Sequence, residues 1–221
     1  MARRVRFHFD FISPYSYLAL TQAEAFAAEH GVRWEMRPIL YAALLDATGL
    51  IGPAETPVKR EYSIRDIVRS ADRLGVPLVG PPVHPFNPLC ALRAACLFQD
   101  DPRGLALATR LSTMCWGEGL AITEPEAVVR AVAEAGLEAD GLAERLGSPE
   151  AKALLRDNTD QALSAGVFGV PTFIWRGELF WGHDRMDHLA ERLAGRLSSA
   201  EERGATIAAR PRGAQRPVRE S

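Results

Sequence analysis

The run Val5-Arg6-Phe7-His8-Phe9-Asp10-Phe11-Ile12-Ser13-Pro14-Tyr15-Ser16-Tyr17-Leu18 changes its period half way along, and that change sets the fold. Up to Phe9, apolar and polar side chains alternate as in a strand with one buried face. From Ser13 onward the apolar positions Tyr15, Leu18, Ala19, Ala23, Phe26 and Ala27 recur at helical spacing. Serine is a good N-cap and proline is accommodated at the first helical position, so the helix is set to begin at Ser13-Pro14. Gly31 can take the left-handed conformation that stops it. Val32-Arg33-Trp34-Glu35-Met36 alternates again. The opening segment therefore reads strand, helix, strand, with parallel strands and a right-handed crossover.

From there to about residue 165 only helical patterns occur. Thr56-Pro57 starts a helix with Ile64, Ile67, Val68, Ala71 and Leu74 on one face and Gly75 at its end. Asn87-Pro88 starts another with Leu89, Leu92, Ala95 and Cys96. After Asp101-Pro102 comes one with Leu105, Ala108, Leu111 and Cys115. Thr123-Glu124-Pro125-Glu126 fits a capping box. Ser148-Pro149 begins the last of the series, ended by Gly166.

Strand character then returns. Pro171-Thr172-Phe173-Ile174-Trp175 and Glu178-Leu179-Phe180-Trp181 flank Arg176-Gly177, a two-residue hairpin turn. A final helix from Asp184 carries Met186, Leu189 and Leu193. The order is that of an α/β protein with a thioredoxin-like core, β-α-β then β-β-α, interrupted by an inserted all-helical domain. The core takes residues 1–45 and 166–198, and the insertion takes 46–165. The tail, 199–221, has no Leu and no aromatic residue and is expected to be disordered.

Composition narrows the function. The 221 residues carry 47% hydrophobic and 24% charged side chains, enough to bury a core without disulfide or metal staples. A net charge of −2 points to no nucleic-acid or anionic-membrane surface. Five arginines against three glutamates give the tail +2, so the body carries −4. No apolar run is long enough to span a bilayer. A charge at Asp10 interrupts the block a signal peptide needs, so a cytoplasmic location is expected. Cys90, Cys96 and Cys115 are odd in number and form no C-x-x-C pair, so no disulfide framework and no metal site are expected.

A thioredoxin core with redox activity holds C-x-x-C at the turn from first strand to first helix, where the helix N-terminus favours a thiolate. Here that slot reads Ser13-Pro14-Tyr15-Ser16. Serine cannot cycle through a disulfide, so dithiol chemistry is excluded at this turn. A hydroxyl at an anion-stabilising helix end remains, able to donate to a ligand's thiolate. The plain alternative is that Ser13 is only an N-cap. In Gly166-Val167-Phe168-Gly169-Val170-Pro171-Thr172-Phe173 a cis Val170–Pro171 bond is expected, leaving the Val170 main chain free for a peptide-like ligand. Trp181-Gly182-His183-Asp184 opens the last helix, and Asp184 either caps it or pairs with a ligand ammonium group. Asn87 reads as a helix cap, Lys59 as a solvated residue, Cys96 and Cys115 as core residues, and His8 as a paired structural histidine.

Four segments in order carry a resemblance: Phe9 to Ala19, Pro53 to Arg60, His84 to Leu89, and Gly166 to Phe173 followed by Glu178 to Met186. On them the chain resembles the 2-hydroxychromene-2-carboxylate isomerases, in the DsbA-like group that includes kappa-class glutathione transferases. The resemblance spans residues 5 to about 195. It implies glutathione as cofactor, its thiol held by Ser13 as the catalytic residue. Val170 and Pro171 would meet its backbone, and Trp181, Gly182, His183 and Asp184 its γ-glutamyl end. Lys59, Phe86 and Asn87 would line the site of a small aromatic substrate. Where many members read Thr-Gly-Asn, this chain reads Thr48-Gly49-Leu50 and lacks a side-chain amide. The implied activity is glutathione-dependent isomerisation of an aromatic 2-oxo acid in aromatic-compound breakdown, by a homodimer. A kappa-like transferase that consumes glutathione and a non-catalytic thioredoxin-fold binding protein are the alternatives.

Overall fold

The computed structural model describes residues 3–197, 200–211 and 213. Strands β1 (Arg3–Phe9) and β2 (Val32–Pro38) pair in parallel, Arg3 opposite Val32 through Phe9 opposite Pro38. The crossover between them is α1 (Pro14–His30), capped by the Ser13 hydroxyl and ended by Gly31 at φ 63°. Strands β3 (Thr172–Trp175) and β4 (Glu178–Trp181) add antiparallel, giving the order β2-β1-β3-β4. Arg176 and Gly177 both have positive φ, 53° and 87°, as a type I′ hairpin requires.

Alternation along the strands splits the core in two. Val5, Phe7, Phe9 and Phe173 face Leu18, Ala23 and Phe26 of α1, with the Phe7 and Phe173 rings 4.7 Å apart. Each such aromatic contributes about 2 kcal/mol by burial. Ile174 points the other way, against Ile39, Leu44, Ala162 and Val167. That face is covered by α2 (Tyr41–Thr48) and α8 (Pro149–Ser164). Between them run α3 (Pro57–Leu74), α4 (Leu89–Leu97), α5 (Gly104–Ser112), α6 (Pro125–Glu134) and the single turn α7 (Leu142–Arg145). Their residues Ile67, Leu92, Leu107, Leu111 and Val128 belong to the same apolar cluster as Phe7 and Phe173, so the helical block and the sheet share one core. A 3₁₀ turn (His183–Arg185) leads into α9 (Met186–Leu193).

Several expectations fail for local reasons. The stripe on α3 is wider than the surface it covers: Ile67 and Ala71 are buried, but Ile64 is 44% and Val68 45% exposed. The helix expected to reach Cys115 changes to a π turn (Thr113–Gly117), in which Glu118 N–H reaches back to the Thr113 carbonyl at 2.9 Å. The capping box at Thr123 does not form. Pro125 takes the first helical position, so Glu124 sits at the cap and Thr123 bonds to the Glu124 carboxylate instead. His8 is not paired: it is buried and neither ring nitrogen has a partner among the described residues. Its neighbours across the sheet are Arg37 and Thr172, and the Thr172 hydroxyl is spent on the Gly169 carbonyl at 2.7 Å. In the tail expected to be disordered, α10 (Glu201–Ala208) is helical, while residues 199, 212 and 214–221 lie outside the described residues.

Candidate active site

The turn after β1 is held from three sides. The Asp10 carboxylate is fully buried and accepts from the Ile12 N–H at 3.0 Å and the Tyr41 N–H at 2.8 Å. Burial pushes this carboxyl up to about 7, against the pull of its N–H donors. Trp116, placed by the π turn, donates its indole N–H to the Phe11 carbonyl at 2.8 Å. His84 Nε2 lies 3.1 Å from the Ile12 carbonyl, which only accepts, so Nε2 carries the proton.

Ser13 follows on this fixed turn. Its hydroxyl accepts from the Ser16 N–H and donates to the Val170 carbonyl, each at 3.3 Å. The Val170–Pro171 bond is cis, as is His84–Pro85. Among the described residues, the Val170 N–H has no partner. The Ser16 hydroxyl is buried without a partner among the described residues.

Beside Val170 opens a cleft of about 600 Å³ between α1, α3 and the segment from Trp181 to Asp187. The Tyr15 hydroxyl donates to Asp66 Oδ2 at 2.8 Å, and the Tyr15 ring stacks on His183 at 5.7 Å with planes 12° apart. Burial and the Asp66 carboxylate hold the Tyr15 phenol well above its ordinary range. Burial lowers the basicity of His183, so the ring is neutral at pH 7. Trp181 is 53% exposed at the rim, edge-on to Phe168 at 4.9 Å. Its indole lies on Gly169, where a Cβ would come within 2.5 Å of Nε1. Asp184 caps no helix: its carboxylate pairs with Arg185 at 2.7 Å within the 3₁₀ turn.

The structure thus brings Val170, Trp181, Gly182, His183 and Asp184 to one cleft. Ser13 and Pro171 stand behind that wall, Ser13 joined to it through the Val170 carbonyl. Lys59, Phe86 and Asn87 do not line it. Lys59 is exposed on the first turn of α3, and Asn87 is exposed with Oδ1 accepting from the Leu89 N–H. Phe86 lines a second cavity of about 250 Å³ with Val83, Cys115 and Ile122. Tyr15, Gln22, Asp66 and Arg73 line the cleft and were not singled out as site residues. The signal for the last two was a polar face on α3, Ser63, Asp66, Ser70 and Arg73, at helical spacing.

No thiol is poised for redox work. Burial pushes Cys96 and Cys115 up to about 12 and Cys90 up to about 11. We expect no insulin reduction and no disulfide formation in standard assays. Turnover that survives replacement of all three cysteines would overturn this.

Residues 4–194 match the family model of the DSBA-like thioredoxin domain. A 2-hydroxychromene-2-carboxylate isomerase of Sphingobium xenophagum is 32% identical over 195 residues, covering 87% of this chain and 99% of the relative. Human glutathione S-transferase kappa 1 is 27% identical, covering 87% and 92%. The solved structure of a 2-hydroxychromene-2-carboxylate isomerase superposes with a TM-score of 0.78 at 29% identity, covering 92% of this chain and 98% of that one. The chain belongs to the DsbA-like thioredoxin-domain family, in the group formed by the 2-hydroxychromene-2-carboxylate isomerases and the kappa-class glutathione transferases.

Proposed function

We propose that this protein is a glutathione-dependent isomerase acting on 2-hydroxychromene-2-carboxylate or a related aromatic 2-oxo acid. The observation that carries the reading is the junction of Ser13 with Val170 at the cleft: a helix-capping hydroxyl and a free main-chain N–H on neighbouring groups. An unpartnered N–H on a cleft wall fits a peptide backbone, so the residues present suit glutathione. Val170 and Pro171 would hold its backbone, Ser13 its sulfur, and Trp181, Gly182, His183 and Asp184 its γ-glutamyl end. When bound, glutathione supplies a thiolate that adds to a conjugated double bond and leaves again after rotation.

The chain's part is to favour that thiolate and keep it placed. The Ser13 hydroxyl can turn from the Val170 carbonyl to donate to sulfur while still accepting from the Ser16 N–H. The first turn of α1 contains no acidic side chain of its own, so its N-terminal dipole favours an anion there. A thiol near pKa 8.5 is a few per cent ionised at pH 7, and a shift of about two units, roughly 2.7 kcal/mol, makes the thiolate dominant. The cytoplasm, where thiols are kept reduced, suits this chemistry.

Calorimetry should detect glutathione binding. Thiolate absorbance of the complex from pH 5 to 9 then tests Ser13. In Ser13→Ala the bound thiol's pKa should rise by about one unit or more, with turnover falling about tenfold. A loss of about 1 kcal/mol in stability with titration and turnover unchanged would leave Ser13 as a cap only. Consumption of glutathione in step with product would favour the kappa-class transferase reaction.

A further inference from the structure

The cleft has a second, charged end. Helices α1 and α3 lie side by side where Tyr15 meets Asp66. Seven residues further along each, Gln22 and Arg73 line the same cleft. Two helical turns place them ~10 Å beyond the Tyr15–Asp66 bond. The cleft holds two guanidinium groups, and they differ in their engagements. Arg185 is tied to Asp184, whereas the side chain of Arg73, an exposed residue, has no ion pair or hydrogen bond among the described residues. Its charge is felt across the cleft at His183, whose basicity it lowers.

We propose that Arg73 is a specificity-determining residue that holds the α-carboxylate of the ligand's γ-glutamyl residue. The inference rests on the glutathione reading and adds a contact to it. An extended γ-glutamyl-cysteine spans ~10 Å from the cysteinyl sulfur to that carboxylate, so its glutamyl end lies well away from the sulfur, as Arg73 lies away from the Tyr15–Asp66 end of the cleft. The end of the ligand is zwitterionic and needs a cation close to an anion. Arg73 supplies the first, and Asp187, which lines the same cleft, supplies a carboxylate for the ammonium group. A guanidinium fork suits a carboxylate better than a point charge does.

The test compares glutathione with 4-aminobutyryl-cysteinyl-glycine, which lacks only the α-carboxylate, by calorimetry on the full chain. The wild type should bind glutathione about tenfold or more tightly than the analogue. Arg73→Gln should lose that preference by weakening glutathione alone, and Arg73→Lys should keep part of it. Equal weakening of both peptides, or undiminished preference in Arg73→Gln, would overturn the proposal while leaving the glutathione reading intact. So would a raised KM for the aromatic acid with peptide binding unchanged, which would put Arg73 on the substrate's own carboxylate. A wild type that binds neither peptide would remove both readings.

Discussion

Replacing Asp10 by alanine should cost about 4 kcal/mol at pH 4.5 and under about 1 kcal/mol at pH 8, the sign expected of a carboxyl whose pKa burial raises. Its two oxygens satisfy the Ile12 and Tyr41 N–H groups, and each buried donor left unpaired costs about 1–3 kcal/mol. The pH dependence follows from the carboxyl's rise to about 7 in the fold, against 3.8 for the unperturbed group. Below pH 4 the group is protonated in both states and its contribution is fully present. As pH rises from 4 toward 7 the unfolded chain gives up a proton that the folded carboxyl keeps, and the contribution is lost by the time pH has passed through 7. Asp10→Asn should fall in between, because an amide NH₂ meets one of the two N–H donors without accepting from it. Urea denaturation at the two pH values checks this. A cost independent of pH would mean that Asp10 is ionised in the fold.

His8→Leu should do the opposite, stabilising the protein by about 3 kcal/mol more at pH 4 than at pH 7. Burial, with Arg6 and Arg37 adding repulsion, lowers the His8 pKa from 6.5 to about 4. Above pH 6.5 the ring is neutral folded or unfolded, and its contribution is complete. As pH falls toward 4 the unfolded chain takes up the proton that the folded one refuses, and stability drains away. Between pH 4 and 6.5 the slopes from His8 and Asp10 have opposite sign and cancel. The wild type should therefore show little pH dependence from these two groups, with His8→Leu falling as pH rises and Asp10→Asn rising. Parallel curves for all three proteins would sink the account.

What could be read in advance was local chemistry. Ser13-Pro14 marked a helix start because a hydroxyl and a missing N–H suit that place, and Arg176-Gly177 marked a turn because the hairpin needs two positive φ values. Helix α2 escaped because Leu40 at its cap offers no side-chain acceptor. The exposure of Ile64 and Val68 escaped because periodicity gives a stripe's direction and not the width of its partner. Asp10 was visible as a charge inside an apolar run, with an N–H two residues on, yet its second donor comes from Tyr41. The cleft is harder still, since Arg73, Tyr15 and His183 come together only when three helices pack.

The bond from Ser13 to Val170 joins positions 157 residues apart, and antiparallel pairing of β1 with β3 is what brings them together. Every segment of the chain between them is made before the second half of the junction exists. A ribosome that has released residues 1–165 has exported the first two strands, α1 and the helical block, and still only half of this junction. The junction is complete only once the last quarter of the chain has been made.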